Sequence, residues 1–135
     1  PGATGPVIVE PLLASGELDA LCRDVIRPFY EQRSRHAVEW LREACHGLPL
    51  RIHRPEGAFF LWLWFPDLPV SSRELYQRLK ARGVLVLSGH HFFPGLDEPW
   101  RHREECLRIN CSQDPATVRA GIRLIAEEVR RAYAA

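Results

Sequence analysis

No stretch of this sequence is apolar for anything near the roughly 20 residues that a bilayer-spanning helix needs. The opening residues, Pro1-Gly2-Ala3-Thr4-Gly5-Pro6, do not resemble a secretory leader either, and a cytoplasmic protein is expected. Neither charge sign dominates: 18 basic and 17 acidic residues leave a formal net charge of +1, with the signs interspersed. Such a chain has no basic footprint for nucleic acid. Its four cysteines, Cys22, Cys45, Cys106 and Cys111, contain no Cys-x-x-Cys pair. Buried reduced thiols are therefore expected rather than a disulfide framework or a zinc site. There is no Gly-x-Ser-x-Gly nucleophile turn and no glycine-rich phosphate loop. Methionine is absent, even at the start, which leads us to expect a sequence that begins inside a longer protein. Lysine occurs once, as Lys80 near the end of an amphipathic segment, where exposure is expected rather than a Schiff-base role.

What the sequence does have is one dominant apolar run, Ala58 to Phe65, preceded by Pro55 and Gly57 and followed by Pro66, Asp67 and Pro69. It is too short and too aromatic for an independent helix and reads as the central strand. Because polar residues do not alternate within it, both faces are expected to be covered.

Around this strand the periodicities switch. From Glu17 to about Cys45, Leu18, Leu21, Cys22, Val25, Ile26, Phe29, Tyr30, Ala37, Trp40, Leu41 and Ala44 recur at helical spacing. Pro28 should kink this long helix or split it near Arg27. If continuous it would span roughly 40–45 Å, a reach suited to docking against a second domain or subunit. Gly47 should end it, and Leu50 to Arg54 can form a short strand. Ser71 and Glu74 make an S-x-x-E capping box, opening a helix that Gly83 stops. Val84 to Leu87 reads as a strand. Ser88 to Gly95 is a loop dense in aromatic and imidazole groups, in which the adjacent His90 and His91 of an extended chain would point to opposite sides. Cys106 to Cys111 alternates as a strand, with Arg108 and Asn110 on one face and Leu107 and Ile109 on the other. Asp114 as N-cap with Pro115 at the first helical position opens a last helix striped by Val118, Ile122, Ile125, Ala126, Val129 and Tyr133. The fold class expected is α/β, three or four strands covered by helices.

Arg108 is the most informative residue, a charge in mid-strand. Its planar fork suits a carboxylate, which it can hold by two parallel hydrogen bonds. The alternative is a structural pairing with an internal Asp or Glu.

The runs Arg51 to Phe65, Glu74 to Val84 and Ser88 to Leu96, the Leu107-Arg108-Ile109-Asn110 strand and the early Val25 to Tyr30 block, in that order, resemble the C-terminal part of the valine–pyruvate aminotransferase family. These are fold type I enzymes that use pyridoxal 5'-phosphate. The resemblance implies the small C-terminal domain, residues 47–135, preceded by a segment and long interdomain helix over residues 1–46. It implies transfer of an amino group between valine and pyruvate by the full-length protein, acting on small amino-acid and 2-oxo-acid substrates as a homodimer. It further implies that Arg108 holds the substrate α-carboxylate and that Phe59 lines the same site. The cofactor lysine and phosphate cup would lie in a large domain absent from this sequence, so the chain alone is expected to be inactive. The competing expectation is a self-sufficient α/β interaction or regulatory module with a structural Arg108.

Overall fold

A computed structural model describes residues 4–135. The chain begins with α1 (Thr4–Ala14) and α2 (Glu17–Leu21), passes through a π-helical stretch at Cys22–Ile26, and continues as α3 (Arg27–Ala44). Pro28 does not split the helix: helical backbone runs without a gap from Glu17 to Ala44, and the irregularity near Arg27 is the π-helical stretch just before the proline. Arg27 donates its backbone N–H to the Cys22 carbonyl five residues back, and Pro28, which has no N–H to give, sits in the first turn of α3. α1 was not anticipated. Its two prolines, Pro6 and Pro11, mask a helix of exposed residues, with Val7 and Ile8 both over 60% exposed.

Beyond the left-handed Gly47 come β1 (Arg51–Ile52), β2 (Phe60–Trp64), α4 (Ser72–Ala81), β3 (Leu87–Ser88), β4 (Cys106–Asn110) and α5 (Pro115–Ala134). The strands form one antiparallel sheet in the order β1-β2-β4-β3. β2 and β4 are its centre, in register from Phe60 opposite Asn110 to Trp64 opposite Cys106. Hydrogen bonds from Cys111 N to the Phe59 carbonyl and from Phe65 N to the Glu105 carbonyl, at 2.9 and 3.0 Å, prolong this pair at both ends.

The expected outer strands are shorter than the apolar pattern suggested. Of Leu50 to Arg54, only Arg51 and Ile52 form strand. Val84 to Val86 are not strand, because the end of α4 claims the local backbone. Gly83 N bonds the Lys80 carbonyl and Val84 N bonds the Leu79 carbonyl, both at 3.0 Å, as in a helix closed by a left-handed glycine.

The two helix starts follow the sequence. Ser71 Oγ accepts from Glu74 N at 3.1 Å, and Asp114 Oδ1 accepts from Thr117 N at 3.0 Å. Leu61, Leu63, Leu107 and Ile109 on the inner sheet face join Ala37 and Leu41 of α3, Leu75 and Leu79 of α4, and the Val118 to Ala132 stripe of α5 in one buried core. The opposite face corrects the expectation of a strand buried on both sides: Phe60, Trp62 and Trp64 are only half-buried. Loop aromatics rather than helices shelter them. Phe92 meets Trp62 edge-on at 5.2 Å between ring centres, and His102 meets Trp64 at 4.8 Å. Cys45, Cys106 and Cys111 are buried free thiols, whereas Cys22 is exposed on the π-helical stretch.

Candidate functional site

Strand pairing builds the site on the half-covered face. Arg108 stands mid-strand in β4, opposite Trp62 of β2 on one side and Leu87 of β3 on the other. Its side chain therefore leaves the sheet on the same face as Phe60, Trp62 and Trp64. The guanidinium carbon lies 4.1 Å from the centre of the Phe60 ring and 4.7 Å from that of Phe92. Among the described residues no carboxylate lies within 4.0 Å of it, and none accepts a hydrogen bond from it. The internal salt bridge, the structural alternative for this residue, is thus not formed.

This separates Arg108 from its neighbours in the chain. Arg82 bonds Glu127 and Glu128 at 2.6 and 2.8 Å, and Arg101 bonds Glu105 at 2.8 Å. A half-buried guanidinium packed on two rings keeps its N–H edge free, since attraction to a ring face consumes no donor. The arrangement suits a planar anion that accepts two parallel hydrogen bonds. Asn110, the next residue of β4 on this face, is exposed, and its Oδ1 accepts from Ser112 N at 2.7 Å.

Phe59 is half-buried beside this group but turns elsewhere. Its ring centre lies 5.2 Å from that of Tyr30 on α3 and 4.4 Å from that of Phe60, and its carbonyl accepts from Cys111. The residue on the guanidinium is Phe60. Strand parity could have found it, because Phe60 pairs with Asn110 and so shares a face with Arg108. Phe92 comes from a loop, and no periodicity marks it.

Phe59 instead lines a groove of about 1040 Å³ between α3 and the 54–59 turn, with Ile26, Tyr30, Glu56 and Ala58. Arg108 is not part of that groove. Ala58 holds φ at 59° there, a left-handed conformation costly for a residue with a Cβ.

The Ser88 to Phe92 segment folds as a 3₁₀ turn over Gly89–Phe92. His90 and His91 accordingly stack, with ring centres 3.9 Å apart, which replaces the opposed arrangement of an extended chain. Burial, and next the charge of His91, hold His90 below the usual histidine range. Cys106 has His102 Nε2 3.5 Å away, yet burial pushes its thiol up to about 12. It is no nucleophile at neutral pH.

Among the described residues no lysine stands in a buried setting. Lys80, the one lysine of the chain, is exposed on the outer side of α4, away from the buried, electrophile-facing setting that an aldimine lysine requires. Among the described residues there is no helix long and apolar enough to cross a membrane.

No protein-family model matches the chain. The chain is 47% identical to the valine–pyruvate aminotransferase of Escherichia coli strain K12 over 134 residues, 99% of this chain and 32% of that protein. The crystal structure of the valine–pyruvate aminotransferase AvtA of Salmonella typhimurium LT2 superposes with a TM-score of 0.92 at 46% identity, over 99% of this chain and 34% of that one. A Psychrobacter arcticum 273-4 structure assigned as an amino-acid aminotransferase gives 0.94 at 44% identity, over 99% of this chain and 31% of that one. The chain thus spans about a third of the length of the relatives it matches.

Proposed function

From a chain that matches the aminotransferase C-terminal domain in sequence and fold, we propose that it is the substrate-carboxylate domain of a transaminase that moves an amino group between valine and pyruvate. The observation that carries this reading is Arg108, half-buried with its donors unclaimed by any described residue and its guanidinium resting on Phe60 and Phe92.

Valine, alanine and their 2-oxo acids all carry a carboxylate beside the reacting carbon, and one binding group therefore serves both halves of the exchange. Arg108 clamps that carboxylate through two N–H···O bonds, which fixes the position and the plane of the substrate. The surrounding aromatic face keeps water from one side of the pair and strengthens it. Pyridoxal phosphate, held by residues outside this chain, supplies the amino-transfer chemistry when bound. Residues 47–135 form the small domain on this reading, residues 1–46 the interdomain segment, and the full-length protein works as a homodimer. Phe59 shapes the wall between the carboxylate site and the groove beside α3.

The test is Arg108→Ala in the full-length enzyme. Removing one side of a desolvated charge pair costs about 2–5 kcal/mol, a fall of roughly 30- to 5,000-fold in kcat/KM, for valine and alanine alike. Arg108→Lys recovers only part, and the cofactor's absorbance survives both changes. A kcat/KM for Arg108→Ala within about threefold of the parent would remove the carboxylate assignment.

A further inference from the structure

Arg108 is held by two rings that reach it by unrelated routes. Phe60 is delivered by strand pairing, in register with Asn110. Phe92 is delivered by the 3₁₀ turn Gly89–Phe92, and that turn is pinned at its start. A Cβ on Gly89 would lie 2.6 Å from the Arg103 carbonyl oxygen and 2.8 Å from both Cys106 Cβ and the Cys106 carbonyl oxygen. The turn therefore sits directly on the backbone entering β4. Ser88, buried, bridges Ser72 Oγ at 2.7 Å and His90 Nδ1 at 2.6 Å, which ties the turn to the first residue of α4. At its far end, Phe92 packs edge-on against Trp62. Both ends of the segment are fixed, and Phe92 is braced against Trp62 while its ring faces the guanidinium of Arg108, 4.7 Å away.

An arginine standing free on a sheet surface samples many rotamers and loses that freedom when a ligand binds, which weakens binding. Rings against the guanidinium remove the freedom beforehand without occupying its N–H groups. We propose that Phe92, together with Phe60, is a positioning residue that holds the Arg108 guanidinium in the pose that receives the substrate carboxylate. This rests on the carboxylate reading of Arg108 and adds to it a pair of residues that never touch the reacting atoms.

The experiment uses the full-length, cofactor-loaded enzyme in five forms: parent, Phe92→Leu, Phe92→Tyr, Arg108→Ala, and Phe92→Leu combined with Arg108→Ala. Each is assayed for kcat and KM with valine and pyruvate, and for competition by isovalerate, an unreactive carboxylate of similar size. Phe92→Leu keeps bulk but loses the π face. It is expected to raise KM and weaken isovalerate binding by about 3- to 30-fold while kcat stays within about threefold. Phe92→Tyr stays near the parent, and the double variant is no worse than Arg108→Ala alone, because the ring acts through the arginine. A cooperative thermal transition of the domain reports folding. Should Phe92→Leu lose it, Phe60→Leu takes its place, with the same expected shifts in KM and isovalerate affinity. Parental KM and isovalerate affinity in the leucine variant would overturn the proposal, as would losses that multiply in the double variant. A parental Arg108→Ala would instead remove the carboxylate reading itself, so the two failures are distinct.

Discussion

Trp64 and Glu105 are joined by a 2.8 Å hydrogen bond, the indole Nε1–H donating to Oε2 of a carboxylate that is only 5% exposed. The same carboxylate accepts Asp67 N–H at 3.0 Å and Arg101 Nε at 2.8 Å. It thereby ties the end of β2 to the turn in which Asp67 holds φ at 59°. Glu105→Ala is expected to strip the indole of its acceptor and release that turn, destabilising the chain by about 1–3 kcal/mol. Arg101, largely exposed, contributes little to this figure. Denaturant unfolding of parent, Glu105→Ala and Glu105→Gln checks it; glutamine, which keeps an acceptor oxygen, recovers part of the loss. Equal midpoints for all three would show that solvent replaces the carboxylate without penalty.

Acid should loosen α5 at two points. Hydrogen bonds from Thr117 hold the Asp114 carboxyl below its ordinary value, and the bond from Arg82 does the same for Glu127. A carboxyl depressed in the folded state contributes stability that is complete above the ordinary carboxylate range, about pH 4 to 4.5, and is lost as pH falls through the folded value. Thermal midpoints are thus expected to hold from pH 7 to about 5 and to decline below about pH 4. Asp114→Asn keeps an efficient N-cap but does not titrate, so combining it with Glu127→Gln should flatten the decline. An unchanged acid slope in that double variant would assign the loss to other groups.

The 135 residues on their own are expected neither to retain pyridoxal phosphate through desalting nor to transfer an amino group from valine to pyruvate. Lys80, the sole lysine, is exposed on α4, and any aldimine it forms with added cofactor should be weak and reversible. Absorbance after desalting, with an amino-transfer assay on the same sample, decides the matter. Stoichiometric cofactor or turnover would mean that the chain carries a complete active site.

Self-association of the isolated chain is expected as well. Val7, Ile8, Leu13, Val25 and Phe29 are each between 45% and 64% exposed along α1 to α3, an apolar surface large for a freely soluble helix. Sedimentation across a range of concentrations should show a mass increase. Val25→Glu with Ile8→Glu should suppress it without lowering the melting temperature, since neither residue is buried. A strict monomer at high concentration would count against a sticky helical face.

The central features were legible in the sequence because each rests on local chemistry. Ser71 with Glu74 and Asp114 with Pro115 announce helix starts, and the alternation of Cys106 to Cys111 gives both the strand and the direction of Arg108. What escaped is set by competition or by distance. Val84 looks like the start of a strand, but its amide closes α4 instead. The apolar run from Ala58 to Phe65 hid a real two-sidedness: Leu61 and Leu63 face the core, while Phe60 and Trp62 face a loop whose path no periodicity encodes. Phe60, which meets Arg108, was not singled out, although strand parity puts it on the same face.

The π-helical stretch at Cys22–Ile26 sets a phase. One residue more than a regular α-helix would use rotates everything upstream by about 100° and displaces it by about 1.5 Å along the axis. The exposed side chains of α1 and α2 therefore point where they do relative to the core-facing Ala37 and Leu41 because of a single surplus residue. Deleting one residue from Cys22–Ile26 should let the segment close as an ordinary α-helix and leave the fold from Arg27 onward intact. The same deletion would turn the apolar face of α1 through more than a quarter of a circle, so this short stretch works as an angular setting between two helical surfaces.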